Sequence, residues 1–188
     1  SNANNVLTDF LQTGCYDRRR PLHKTVSPSM DILVSSNLER LLYLMSGQDT
    51  ALVAELMSQL NRQGFYTVPE ALLGAIQEAF WAGCCDDAGA AQAIRRVWEN
   101  HRYLCDTHTA AGWAVAEDYV NQTGDNRPMV VLSTASAYKF PAAVLSSLTA
   151  VAEMDEFAQM ETLEKLTGWP IPENLSGLQE KKELHTSV

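Results

Sequence analysis

The sequence predicts an α/β fold that is rich in helices and contains a short parallel sheet. Apolar residues recur at helical spacing through most of the 188 residues, and short β-compatible runs separate the helices. The clearest run, residues 129–133, stops at small hydroxyl residues, and Pro141 then suits the first turn of a helix. This order predicts that Thr134 and Ser136 lie at the carboxyl end of a buried strand, where open α/β sheets bind ligands.

The predicted helices begin and end at residues that prefer those positions. Val6 and Phe10 share one helical face, and Gly14 ends that helix because glycine adopts the left-handed conformation easily. Ser36 and Glu39 form a capping-box pattern before the next helix. In chain order, helices are predicted from Val6 to Gly14, Ser36 to Met45, Asp49 or Thr50 to Gly64, Pro69 to about Glu78, Asp87 to about Arg102, Thr107 to Asn121, Pro141 onward, and about Met154 to Leu166.

Two further stretches have the composition of short strands. Residues 65–68, Phe-Tyr-Thr-Val, follow one predicted helix and precede another. Residues 80–85 are also rich in β-compatible side chains. Because helices separate these stretches from residues 129–133, we expect the strands to form part of a parallel sheet.

The charge balance limits the classes of partner. The chain has 14 Lys and Arg residues against 23 Asp and Glu residues, a net charge of −9, which argues against binding to nucleic acid. The overall field would also not attract a phosphorylated substrate, so anions must be bound by local donors. The only basic cluster, residues 18–24, is interpreted as a solvated loop.

The cysteines and the apolar runs predict a cytoplasmic protein that does not enter a membrane. Four cysteines, at positions 15, 84, 85 and 105, show no metal-ligand spacing, so we predict no metal site and a reducing compartment. No apolar run is long enough to cross a bilayer, and the first residues lack the pattern of an export signal.

Three stretches resemble the threonine synthase family. They are residues 129–141 (Met-Val-Val-Leu-Ser-Thr-Ala-Ser-Ala-Tyr-Lys-Phe-Pro), residues 25–32 (Thr-Val-Ser-Pro-Ser-Met-Asp-Ile) with 35–43, and residues 104–112 (Leu-Cys-Asp-Thr-His-Thr-Ala-Ala-Gly). The resemblance extends from about Asn5 to Leu175. It implies a partial fold type II domain that uses pyridoxal 5'-phosphate (PLP). The implied reaction converts O-phosphohomoserine and water to threonine and phosphate by β,γ-elimination and replacement.

The family's Schiff-base lysine and its Gly-Asn-Phe-Gly phosphate loop precede the part that this chain resembles. We therefore expect residues 4–175 to be the carboxyl-terminal part of a longer enzyme, with no catalytic residue in this chain and no turnover by the chain alone. Residues 1–3, Ser-Asn-Ala, are interpreted as a cloning scar, and residues 176–188 as a polar tail that frays. Ala137-Tyr138 and Thr107 depart from the family's usual Pro-Ala and Pro, and both departures lie in predicted turns.

The resemblance assigns the cofactor-binding role to Thr134 and Ser136. The family threonine matching Thr134 bonds the pyridine nitrogen of PLP, and a neutral hydroxyl leaves that nitrogen largely unprotonated. The alternative for both residues is a hydroxyl that caps a turn or helix. Lys139 is interpreted as a structural or rim residue, because the family's Schiff-base lysine lies elsewhere.

Ser27, Ser29 and Asp31 form a proline-containing loop that could line the cleft and bind the phosphate or carboxylate of the substrate. The alternative is a loop in which Asp31 caps local backbone amides. Asn37 and Arg40 lie three residues apart, so both can face one side of a helix. Arg40 could pair with a substrate anion, or it could form an ordinary salt bridge.

Asp106, His108 and Thr109 lie at a predicted helix start. These side chains could contact the cofactor ring or the substrate, or they could simply cap the helix. The predicted partners are O-phosphohomoserine and the amino-terminal part of the same enzyme. Two other functions stay open: a related PLP enzyme, such as a dehydratase or cysteine synthase, and a non-catalytic helical module that self-associates through an exposed apolar face.

Overall fold

The computed structural model describes residues 1–182 and residue 184, and this part of the chain is mostly helical. The helices are α1 (Val6–Thr13), α2 (Leu38–Met45), α3 (Thr50–Gln63), α4 (Glu70–Ala79), α5 (Asp87–His101), α6 (Thr107–Thr123), α7 (Pro141–Leu148) and α8 (Glu156–Thr167). Single turns of 3-10 helix occur at Pro28–Met30, Ala137–Lys139 and Leu178–Glu180. All of the predicted helices are present, which confirms the helix-rich fold class.

The helix ends follow local chemistry in most places. Gly14 and Gly64 end α1 and α3 in the left-handed conformation, with φ of 76° and 84°. The capping box predicted at Ser36 is wrong. Instead, Asn37 precedes α2 in helical conformation without a side-chain cap, because a turn in which Leu38 N–H donates to Ser35 O leads into the helix.

The two strands of the described structure are antiparallel, so the predicted parallel sheet is wrong in orientation. Strand β1 (Cys15–Asp17) pairs with β2 (Phe65–Thr67), and Tyr16 lies opposite Tyr66. The β2 prediction at residues 65–68 is confirmed, but β1 was not expected. Strands of three residues carry little sequence signal for orientation, and the observed antiparallel register stacks the rings of Tyr16 and Tyr66.

Residues 129–133 do not form the predicted strand, and they are not buried. Val130 is 81% exposed and Leu132 is 75% exposed, and no strand among the described residues pairs with this segment. A strand requires a neighbour to satisfy its backbone groups, and β-propensity alone cannot supply one. Residues 80–85 likewise form no strand.

The buried side chains form two clusters. Helices α1 to α4 surround β1 and β2, where Phe10, Tyr16 and Tyr66 pack with their ring centroids 5.3 to 5.9 Å apart. Helices α5 to α8 enclose the second cluster, which includes Ile94 and Leu145. The amino-terminal segment and the loop between β1 and α2 both contact the second cluster, because Cys85 N–H donates to Ser1 O and Met30 packs against that cluster.

The remaining expectations concern membranes and the tail. Within the described residues, no helix combines the length and the apolarity needed to cross a membrane. The predicted fraying of residues 176–188 stays a prediction, because residues 183 and 185–188 lie outside the described residues.

Candidate functional site

A buried carboxylate at the start of α6 connects the three stretches that the sequence analysis identified. Asp106 is completely buried, and its Oδ1 accepts hydrogen bonds from the backbone N–H groups of His108 and Thr109, at 2.8 and 3.4 Å. Oδ1 also lies 2.9 Å from His108 Nδ1, and Oδ2 accepts the hydroxyl of Thr109. Asp106 therefore caps α6 and orients two neighbouring side chains.

The His108 ring joins α6 to the loop that contains residues 27–31. Its Nε2 accepts a 3.2 Å hydrogen bond from the backbone N–H of Ser29. A backbone N–H can only donate, so Nε2 must carry a lone pair and the ring proton must be on Nδ1, facing Asp106. The Phe140 ring packs on the imidazole with centroids 4.8 Å apart. The ring is thus held in one orientation and one tautomer.

Thr134 is attached to the same network through its backbone. Its N–H donates to Thr109 Oγ1 at 3.2 Å, which joins residues 129–136 to the start of α6. Its side chain is exposed, and among the described residues its hydroxyl makes no hydrogen bond. Thr134 therefore does not end a buried strand, but its hydroxyl faces solvent and is available to a ligand.

The loop that carries Ser27 and Asp31 is held by a dense set of internal hydrogen bonds. The Asp31 carboxylate accepts from the backbone N–H of Thr25 at 3.0 Å, from the Thr25 hydroxyl at 2.7 Å, and from the side-chain amides of Asn2 and Asn4 at 2.8 and 3.0 Å. Partial burial of Asp31 opposes ionisation, but these hydrogen bonds outweigh burial and lower its pKa below the usual value.

The loop residues divide into internal and exposed groups. Ser27 is only 2% exposed, and its hydroxyl accepts from Asn2 Nδ2 at 3.1 Å. The Asp31 carboxylate accepts the four hydrogen bonds just described, so it is also directed into the loop. Ser29 is exposed, so of the three predicted substrate-binding residues in this loop it has the side chain most open to a ligand.

Asn37 and Arg40 lie on the exposed surface at the start of α2. Arg40 Nη2 donates to Asn37 Oδ1 at 2.8 Å, so the two residues share one face as predicted. No hydrogen bond among the described residues connects either of them to the Asp106 network. Their predicted contact with a substrate anion stays a prediction.

The residues after Thr134 have structural contacts. Ser136 Oγ accepts the backbone N–H of Tyr138 at 3.3 Å, which is the capping alternative considered for it. Ala137 and Tyr138, which depart from the family pattern, are both buried. Lys139 is exposed and lines an open cavity of about 420 Å³ together with Thr25 and Phe140.

Sequence reasoning missed Asn2, Asn4 and Thr25, which organise the loop from within. Asn2 is 1% exposed, its amide donates to Thr25 Oγ1 at 2.8 Å, and its Oδ1 accepts the backbone N–H of Asn4 at 2.9 Å. The origin of residues 1–3 as a cloning scar stays a prediction, although these contacts join Asn2 to the fold. The available signal was the pair Asn4-Asn5 directly before an apolar helix, which points to Asn4 but not to Asn2.

Comparison with known proteins identifies relatives of this chain. Residues 109–188 match the sequence profile of a family described as threonine synthase, C-terminal. Threonine synthase-like 1 from Homo sapiens is 40% identical over 157 residues, which cover 83% of this chain and 21% of that protein. The threonine synthase of Pseudomonas aeruginosa is 35% identical over 144 residues, covering 77% of this chain and 30% of that protein.

Two solved structures have the same fold as this chain. A PLP-bound threonine synthase from Brucella melitensis matches with a TM-score of 0.75 and 37% identity, covering 86% of this chain and 34% of that chain. A threonine synthase from yeast matches with a TM-score of 0.82 and 28% identity, covering 97% and 36% respectively. This chain therefore spans about a fifth to a third of the length of the relatives it matches.

Proposed function

Because this chain belongs to the threonine synthase family, we propose that the protein containing it is a PLP-dependent threonine synthase. The reaction would convert O-phosphohomoserine and water to threonine and phosphate. The observation that carries the proposal is the convergence of three separated stretches on Asp106, with Ser29 reached through His108 and Thr134 reached through Thr109. Functional residues that are distant in sequence meet in this way at binding sites.

The chemistry of Thr134 fits one edge of PLP. Its hydroxyl is neutral, exposed and without a hydrogen-bond partner among the described residues, while its backbone is anchored to Thr109. Such a hydroxyl can bond the pyridine nitrogen without protonating it, and Ser136 lies close enough in sequence to contribute a second hydroxyl. PLP, when bound, supplies the capacity to delocalise the electrons left when a proton is removed from the substrate.

The chain's own residues would bind and orient the substrate. Ser29 is the exposed hydroxyl of the 27–31 loop, and Ser27 and Asp31 hold that loop in shape. Arg40 with Asn37 offers a cationic, hydrogen-bonding pair for a phosphate or carboxylate. Because the chain carries a net charge of −9, such local donors must provide the attraction for an anionic substrate.

The partner of this chain in the proposed enzyme is the rest of the same polypeptide, which would supply the Schiff-base lysine. The exposed apolar segment at residues 129–133 supports this, because Val130 and Leu132 offer unpaired β-compatible backbone and apolar side chains to a further strand. By itself the chain would lack the Schiff-base lysine and would not convert the substrate. A cytoplasmic location is proposed because the four cysteines show no metal-ligand spacing and are typical of a reducing compartment.

The experiment is an assay of the full-length protein, loaded with PLP, for phosphate release from O-phosphohomoserine and for threonine formation. Equal amounts of phosphate and threonine are expected, and residues 1–188 alone, as the matched control, should release none. Phosphate release with 2-oxobutanoate in place of threonine would assign a related eliminating enzyme. No phosphate release by a protein that binds PLP would overturn the proposal and favour a non-catalytic module.

A further inference from the structure

We propose that Asp106 and Thr109 are positioning residues, which act on Thr134 rather than on the substrate. The carboxylate of Asp106 directs the hydroxyl of Thr109, and Thr109 in turn holds the backbone from which the Thr134 side chain projects. The inference rests on the proposed function only in naming PLP as the ligand of Thr134. It revises the direct substrate-binding role predicted for Asp106 and Thr109.

The direction of each hydrogen bond follows from the chemistry of the groups. The Thr109 hydroxyl donates to Asp106 Oδ2, so the single hydroxyl proton of Thr109 is engaged there. The lone pairs of Thr109 Oγ1 are then free to accept the Thr134 N–H, at 3.2 Å. Asp106 is completely buried and Thr109 is 3% exposed, so water does not compete for either group.

Other aspartates in the chain show that capping a helix requires fewer hydrogen bonds and no burial. Asp49, Asp86 and Asp155 begin α3, α5 and α8, and each side chain accepts one backbone N–H, at 2.8 to 2.9 Å. All three are exposed. Asp106 instead accepts from two backbone groups and from two side chains while fully buried. Asp106 therefore makes more hydrogen bonds than an N-cap requires, and the additional bonds orient the side chains of His108 and Thr109.

The segment around Thr134 depends on this support. Residues 129–135 belong to no helix or strand, and within the described structure two side-chain bonds hold them. Thr109 accepts the Thr134 N–H, and the Tyr103 hydroxyl donates to Ser133 Oγ at 2.7 Å. Without the Thr109 bond, the peptide plane before Thr134 can rotate, and the exposed hydroxyl of Thr134 loses its fixed direction.

The test uses the full-length protein with Thr109→Val, Thr109→Ser and Asp106→Asn. Thr109→Val keeps the side-chain volume and removes the hydroxyl, whereas Thr109→Ser keeps the hydroxyl. The first measurement is hydrogen–deuterium exchange at the Thr134 amide, without PLP. The net stabilisation by one hydrogen bond corresponds to roughly a three- to tenfold change in the amide exchange rate. The exchange rate of the Thr134 amide should therefore rise by that factor in Thr109→Val and return towards the wild-type rate in Thr109→Ser.

The second measurement is the absorption spectrum of bound PLP, with its dissociation constant. We expect Thr109→Val and Asp106→Asn to shift the spectrum and weaken PLP binding, while Asp155→Asn, the matched capping control, changes neither. A purely structural role would lower the unfolding temperature of Asp106→Asn without moving the spectrum.

Two outcomes would overturn the proposal: unchanged Thr134 exchange in Thr109→Val, or faster exchange with an unchanged PLP spectrum. Because exchange is measured without ligand and the spectrum without substrate, both can succeed in a protein that makes no threonine. Failure of the threonine synthase assignment is thus distinguishable from failure of this proposal.

Discussion

Ser29 and His108, which are 79 residues apart in sequence, are joined by a hydrogen bond of 3.2 Å from the serine backbone N–H to the imidazole Nε2. The bond connects the loop before α2 to the start of α6, and Met30 of the same loop packs against the cluster that α5 to α8 enclose. Because the other ring nitrogen lies 2.9 Å from the buried Asp106, His108 links this loop to that carboxylate.

His108→Phe tests this connection. Phenylalanine keeps an aromatic ring against Phe140 but leaves the Ser29 N–H without its partner and removes the ring contact to Asp106. We expect the free energy of unfolding to fall by about 1–3 kcal/mol, measured by urea denaturation. His101→Phe is the control, because His101 is exposed, and its effect should stay within about 0.5 kcal/mol. Equal losses in the two variants would contradict the assigned role of His108.

Asp31→Asn should destabilise the protein in a pH-dependent way. The hydrogen bonds from Thr25, Asn2 and Asn4 lower the pKa of Asp31 in the folded state despite its partial burial, so the ionised carboxylate stabilises the fold. That contribution is fully present above the unfolded-state pKa, about 3.9, and is lost as the pH falls through the lower folded-state value. The measurement is urea unfolding of both proteins at several pH values.

The difference in unfolding free energy between wild type and Asp31→Asn should be about 1–3 kcal/mol near pH 6 and should shrink steadily below pH ~4. A difference that stayed constant, or that grew on acidification, would show that the Asp31 charge does not stabilise the loop.

Asn2→Ala should be as damaging as a substitution in the protein core. The Asn2 amide donates to Thr25, Ser27 and Asp31, so alanine removes three hydrogen bonds that hold the loop. We expect a loss of about 2 kcal/mol in thermal or urea unfolding. Asn61→Ala, on the exposed face of α3, is the control and should change stability by less than about 0.5 kcal/mol. A neutral Asn2→Ala would support the cloning-scar interpretation of residues 1–3.

The cysteines should differ sharply in reactivity. Burial raises the pKa of Cys105 to about 12 and that of Cys85 to about 11, whereas Cys84 is exposed. At pH 8, maleimide should label Cys84 at least roughly tenfold faster than Cys85 or Cys105, as followed by mass spectrometry of the peptides. Labelling in guanidinium chloride is the control, since all thiols should then react at similar rates. Rapid native labelling of Cys105 would mean that its cluster opens readily.

Helix positions were predictable because their determinants are local. Gly14 and Gly64 end helices through their own conformational freedom, and Asp49 caps α3 three residues from its partner Leu52. The candidate site residues stay predictions, but two of them could be related to the structure. Asp106 and Thr134 were identified from their stretches, but whether each touches a ligand or supports another residue is not encoded locally.

The segment at residues 129–133 shows where local reasoning failed. Its composition favours a strand, yet Val130 and Leu132 are exposed, because a strand forms only beside another that accepts its hydrogen bonds. Conversely, β1 formed from three residues with little β-signal, because Tyr16 packs against Tyr66 and Phe10. Whether a segment forms a β-strand therefore depends on which segments lie beside it in the folded structure.

By itself, the sequence determined the positions of the helices, the acidic charge, and the resemblance that identifies the family, since each depends on residue types at short spacing. Only the tertiary structure decided that Asn2 supports Asp31, that Asp106 is completely buried, and that Ser29 and Thr134 converge on His108 and Thr109. The physical reason is that hydrogen bonds between distant residues form only once the packing of the helices has brought their partners within about 3 Å.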